Sequence, residues 1–178
     1  DSLAKATNKK TTLRLAYRDR GVEPLRAAAL EQSLKAAGFT VIMDKYPGSG
    51  FYAAAAKRGG SNEPDITQTS WAFDWAAASG IVYALFDGRT MTATDAKSNH
   101  SRGNFADLQA LFVKADASAP AAQEKLLGDI EQKLIQDKAA HVSVYFEKSN
   151  FMAGSKLGGL QVDGGYSTLS VLGAYVKK

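Results

Sequence analysis

The residues best suited to chemistry lie in one run, Asp65 to Phe86, reading DITQTSWAFDWAAASGIVYALF. Its pattern predicts a strand that carries Asp65 in and ends at Trp71. A carboxylate, Asp74, follows three residues on, beside a second indole, Trp75. Strand ends in open α/β sheets leave loop and helix-start backbone groups unpaired, and ligands bind there. A carboxylate flanked by indoles suits a ligand bearing an ammonium group. The same residues also fit a structural reading, with Trp71 and Trp75 in the core and Asp74 capping the helix that follows.

Other chemistry finds little support. The chain has two histidines, His100 in a polar stretch and His141 at the start of an expected strand, so a triad or a metal cluster would rest on a single histidine, and each fits a structural role better. No GxSxG, HExxH or Walker motif occurs, and the absence of cysteine removes disulfides, thiolate metal sites and a thiol nucleophile. Gly48, Ser49, Gly50, Phe51, Tyr52 and Ala53 satisfy a GxGxxA pattern between an expected strand and helix. The acidic residue that should close the following strand in a dinucleotide site is missing there, because Asp65 begins the next strand instead. A plain loop leading into a helix fits better. Asn99, His100 and Ser101 form a glycosylation sequon short enough to arise by chance.

The elements that must position this run follow from periodicity. Leu13, Leu15 and Tyr17 alternate as a strand, and Pro24 opens a helix whose Ala27, Leu30, Leu34 and Ala37 recur at three and four until Gly38 stops it. Phe39, Val41 and Met43 alternate again, so the first 44 residues read as strand, helix, strand, with the strands parallel. Ser49 is expected to cap a short helix from Phe51 to about Lys57. Ile81 to Phe86, and Phe105 through Ala115, carry helical faces. Ser118 and Pro120 open a long helix with Leu126, Leu127, Ile130, Leu134 and Ile135 as its buried stripe. Val142, Val144 and Phe146 predict a strand, and a glycine-rich tail from Leu157 onward shows weak alternation at Leu169, Val171 and Leu172.

With 178 residues, 45% hydrophobic and 22% charged, the chain has the makeup of one globular domain. The formal charge of +4 comes from scattered lysines and arginines, paired at most as in Lys9–Lys10 and Lys57–Arg58, with no stripe and no aromatic platform for nucleic acid. Its longest mid-chain stretch without a charge, Trp75 to Phe86, is too short for a membrane span. Residues 1–10 are polar and lack an apolar signal core, so an export signal is expected outside this sequence and the chain is expected to be part of a longer one.

The spacing of Asp65, Trp71, Asp74, Leu85 and Phe86 resembles the C-terminal lobe of family 5 extracellular solute-binding proteins, the oligopeptide- and dipeptide-binding group of ABC importers. Thr12 to Tyr17 is similar to the family's strand after its interlobe crossing, and EQSLKAAGFTV to its following helix and strand. SNHSRGNFADLQALFVKA resembles its asparagine-led segment, and the helix from Pro120 to Asp137 with HVSVYF resembles its end. Gln68 stands where some oligopeptide binders carry a basic residue, and Trp75, Ala76, Ala77 and Ala78 replace a family acidic residue and proline.

The resemblance implies an α/β lobe of the type II periplasmic-binding-protein-like kind, a mixed sheet flanked by helices, that closes on its ligand with a second lobe and has no catalytic step. It implies a ligand-binding lobe over 1–156 and a tail over 157–178 that returns to the other lobe. Gln68, Ser70, Trp71, Asp74 and Trp75 are the candidate ligand-binding residues, with no metal or other cofactor. The implied partners are a peptide or similar small solute, the permease subunits of an ABC transporter and the missing N-terminal lobe, with no nucleic acid. The expected location is extracellular or periplasmic, anchored as a lipoprotein. Members also take nickel chelates, opines and oligosaccharides, and a sensory domain reusing the lobe or an enzyme of unrecognised chemistry are the competing classes.

Overall fold

The computed structural model describes residues 11–72, 74–148, 150–164 and 168–177. Strand β1 (Thr12–Asp19) runs parallel to β2 (Thr40–Pro47) along their whole length, from Thr12 opposite Thr40 to Asp19 opposite Pro47. A short strand, β3 (Ile66–Thr67), flanks β1 on its other side, so the sheet order is β2-β1-β3. Leu15 and Ala16 point to opposite faces of β1 and both are fully buried, as the centre of a parallel sheet requires. Bidentate pairing of the Arg14 guanidinium with Asp44, Nε to Oδ2 at 2.8 Å, ties β1 to β2. The backbone N–H of Arg14 donates to the Asp65 carboxylate at 2.8 Å, which fixes the start of β3.

Helix α1 (Glu23–Ala36) connects β1 to β2. Pro24 lies in its first turn, where no backbone donor is needed, and Gly38 takes a left-handed φ of +93° just after its end. Of its expected apolar stripe, Ala27 is buried, Leu30 and Leu34 are half-buried, and Ala37 is exposed. Helix α2 (Phe51–Ala55) is shorter than the sequence suggests and is capped by Gly50, with no side-chain bond from Ser49. Phe51 and Ala55 pack on Ala16 under Tyr46 and form the sheet-side core.

A second core lies among α3 (Ser79–Phe86), α4 (Ala106–Asp116) and α5 (Pro120–Gln136). Val82, Phe86, Leu108, Phe112, Ala115, Leu127, Ile130 and Leu134 meet there, with Leu126 packed against them, as the helical spacing predicts, but Ile135 of the expected stripe is exposed. Pro120 sits in the first turn of α5, but the cap residue is Ala119 and not Ser118.

Three expectations change. The run Asp65–Trp71 yields only two strand residues, because beyond Thr67 the chain leaves β1 after one more backbone bond, from Gln68 N–H to Ala16 carbonyl. Among the described residues the three-stranded sheet is wholly parallel rather than mixed. Val142, Val144 and Phe146 form no strand and are 81%, 80% and 96% exposed, since no neighbouring strand offers them a ladder. The tail forms two small antiparallel pairs of its own, β4 (Leu157–Gly158) with β7 (Tyr175–Val176) and β5 (Gln161–Asp163) with β6 (Thr168–Ser170).

Candidate ligand-binding site

The carboxyl ends of the parallel strands, Asp19, Pro47 and Thr67, open on one side of the sheet. The chain leaves that edge at Gln68, and the described residues from there to Ala78 lie in no helix or strand before α3 begins. Every sequence-predicted site residue lies on this connection.

Gln68 donates its side-chain amide to the carbonyl of Glu23 at 3.1 Å and so ties the connection to the first residue of α1. Ser70 is exposed, and its carbonyl accepts from the Tyr52 hydroxyl at 3.4 Å. Trp71 is half-buried and donates its indole N–H to the carbonyl of Gly80 at 3.2 Å. Trp75, 50% exposed, donates to Ser79 Oγ at 2.8 Å. The backbone of Trp75 lies against Gly80 so closely that an added Cβ would stand 2.9 Å from the Trp75 carbonyl oxygen. Gly80 therefore seats both indoles, one through its carbonyl and the other through its missing side chain.

Asp74 is exposed and has no hydrogen bond or ion pair among the described residues. It does not cap α3. The cap residue of that helix is Ala78, four residues further on, and its backbone N–H donates to Glu124 at 3.2 Å. Trp75 is likewise no core residue. The structural reading of the pair thus fails for Asp74 and Trp75 and holds in part for Trp71.

The sequence did not point to the groups beneath this connection. Arg18, next to last in β1, forks onto the Glu23 carboxylate, Nε to Oε1 at 3.1 Å with a second bond from Nη2. Its guanidinium also lies over the Tyr52 ring, 5.3 Å from the centroid. Hydrogen bonding to Glu23 is the main cause that holds the Arg18 pKa above its ordinary value. A strand-end arginine followed five residues later by an acidic residue in a helix's first turn is the signal that would have found this pair.

The remaining candidates are structural. His100 is buried, with its pKa lowered by burial and by Arg102, and beside it Asn99 is fully buried and donates to the Gly103 carbonyl at 3.0 Å. A buried asparagine is no glycosylation acceptor. His141 stacks on Phe86 at 4.5 Å. Among the described residues no group of three or more potential metal ligands occurs, and no helix is long and apolar enough to cross a membrane.

No model of a known protein family matches the sequence, and no curated protein matches it. Solved structures do. The chain superposes on "Clavulanic acid biosynthesis oligopeptide binding protein 2" with a TM-score of 0.81 at 17% identity, over 98% of this chain and 32% of that one. It superposes on the substrate-binding domain of an oligopeptide ABC transporter from Bacillus anthracis str. Ames with a TM-score of 0.72 at 16% identity, over 98% of this chain and 33% of that one. Both are named for binding rather than for a reaction. The chain spans about a third of the length of these proteins, and over that third it has their α/β, periplasmic-binding-protein-like fold.

Proposed function

We propose that the chain is the C-terminal, ligand-capturing lobe of a family 5 extracellular solute-binding protein that delivers peptides to an ABC importer. The observation that carries this reading is the placement of a carboxylate with no partner among the described residues, Asp74, between two indoles on the connection that leaves the carboxyl edge of the sheet, in a fold shared with two oligopeptide binders. The lobe performs no reaction. It offers one wall of a cleft, and closure of a second lobe supplies the other.

In this reading residues 1–156 form the lobe, and 157–178 is a tail that returns to the other lobe. Support for the tail's destination is that, among the described residues, its strands pair only with one another, while Val162, Val171 and Leu172 stay exposed. The second lobe and the transporter's permease subunits are its partners, and its place is outside the cytoplasmic membrane, held there as a lipoprotein.

Asp74 binds the α-ammonium of the peptide, and Trp71 and Trp75 line the cleft by area, with Ser70 and Gln68 holding the connection in place. Closing lobes strip water from the ammonium, so a carboxylate must replace that hydration. Asp74→Ala in the two-lobed protein leaves the ammonium buried and unpaired, a loss of about two to three decades in affinity. The test is a titration of wild type and Asp74→Ala with free and N-acetylated forms of one peptide. The variant is expected to lose affinity for the free form and to spare the acetylated one. Equal weakening of both forms removes Asp74 as the anchor, and binding of a sugar or chelate in place of any peptide removes the peptide reading.

A further inference from the structure

The turn between β1 and α1 holds a cation that the fold does not consume. Arg20 follows Asp19, the last residue of β1, and its backbone is fixed on both sides. Its N–H donates to the Arg18 carbonyl at 3.0 Å, and its carbonyl accepts from the Glu23 N–H at 3.1 Å. The side-chain stem lies along Gly48, the first residue after β2. A Cβ built on Gly48 would stand 3.6 Å from Arg20 Cβ, 3.9 Å from Arg20 Cδ and 3.5 Å from the Asp19 carbonyl oxygen. The stem thus rests on bare backbone at the carboxyl edge of the sheet, while the residue as a whole stays exposed.

The other basic residues of β1 and β2 are matched. Arg14 pairs with Asp44, Arg18 with Glu23, and Lys45 with Asp19 at 3.0 Å. The guanidinium of Arg20 has no hydrogen bond or ion pair among the described residues, and the two acids nearest to it in sequence, Asp19 and Glu23, are bonded to Lys45 and Arg18. Gly48 ends β2, whereas the connection that starts at Gln68 leaves β3, and the sheet order is β2-β1-β3. Arg20 therefore stands at the same edge as that connection, on the other flank of β1.

We propose that Arg20 is a second binding point of this edge, one that takes a carboxylate of the captured ligand. The proposal deepens the capture reading and rests on it, but it does not depend on what Asp74 binds. A guanidinium presents a planar fork of donors that matches a carboxylate with two parallel bonds. Closure of a second lobe strips water from that fork, and a ligand carboxylate replaces it. The terminal carboxylate of a peptide and an acidic side chain share this chemistry.

Calorimetry of the two-lobed protein separates the two sources. Three ligands are titrated into wild type and Arg20→Gln: trialanine, trialanine amide, which has no carboxylate, and alanyl-glutamyl-alanine amide, whose carboxylate is on the side chain. Arg20→Gln is expected to leave trialanine amide unchanged and to weaken a carboxylate-bearing peptide about tenfold to a hundredfold. A loss with trialanine assigns the terminal carboxylate, and a loss confined to alanyl-glutamyl-alanine amide assigns a side chain; either supports the proposal. Lys114→Gln, which removes an exposed charge on α4, is expected to change none of the three affinities. Equal weakening of all three peptides by Arg20→Gln, no weakening of any, or the same loss in Lys114→Gln overturns the proposal and leaves capture standing. A wild type that binds none of the three overturns the peptide-capture reading, and the proposal with it.

Discussion

Replacing Gly80 with alanine tests whether the indoles are seated as described. Gly80 lies buried in the first turn of α3, and a Cβ there would stand 2.9 Å from the Trp75 carbonyl oxygen, 3.4 Å from its nitrogen and 3.5 Å from its indole Cδ2. The nearest of these atoms is backbone and cannot swing aside as the end of a flexible side chain does. Alanine gains about 1 kcal/mol over glycine as a helix former. Forcing a methyl into a filled site costs about 1–3 kcal/mol. The net expectation for Gly80→Ala is a loss of about 1 kcal/mol, or about 2–4 °C in Tm for a chain of this size. The Gly80 carbonyl holds the Trp71 indole at 3.2 Å, so displacement should change the environment of both tryptophans together. Urea denaturation followed by tryptophan emission reads both effects. A variant about 1 kcal/mol more stable than wild type with unchanged emission would refute the reasoning, because the helix gain would then stand without any clash.

In the proposed reading the chain forms only one wall of a cleft, so calorimetry of this chain alone against a mixed peptide library should show binding weaker than micromolar; tighter binding would count against a two-lobed site. In hydrogen exchange, the amides that join β1 to β2 should be the slowest and residues 142–146 among the fastest, since the latter lack a ladder. Protection of 142–146 equal to that of β1 would contradict the exposed placement of Val144 and Phe146. The pKa values of both histidines are lowered, first by burial, so the fold holds them neutral. The unfolded chain takes up those protons near pH 6.5 and the folded chain only below it, so stability is full above pH 6.5 and falls as the pH drops through the folded values. The urea midpoint should therefore decline on acidification below pH 6.5, and a His100→Gln variant should flatten the decline; an unchanged slope in that variant would show that His100 is not held neutral.

Elements with local punctuation were legible in the sequence. The helix at Glu23–Ala36 carries its own start and stop in Pro24 and Gly38, and the helices at Ala106–Asp116 and Pro120–Gln136 carry apolar stripes that met in one core. Alternation alone carries less. Leu13, Leu15 and Tyr17 made a strand because β2 and β3 lie on either side, whereas Val142, Val144 and Phe146 show the same period and form none. A period of two marks faces but not a neighbour, and a strand needs both. At the site, the turn bearing Trp71, Asp74 and Trp75 was legible from residue types and the strand end. The Arg18–Glu23 pair was not, because the partners sit on different elements and only the turn between β1 and α1 brings them together. The alternative that Asp74 caps α3 fails because the helix starts later, at Ser79.

Native mass spectrometry of the two-lobed protein as purified, with any co-purified ligand sequenced, tests capture most directly. A bound peptide with a free ammonium end, lost when Asp74 is replaced by alanine, is the predicted result. A ligand of another class, or a bound peptide retained in full by the variant, would contradict it.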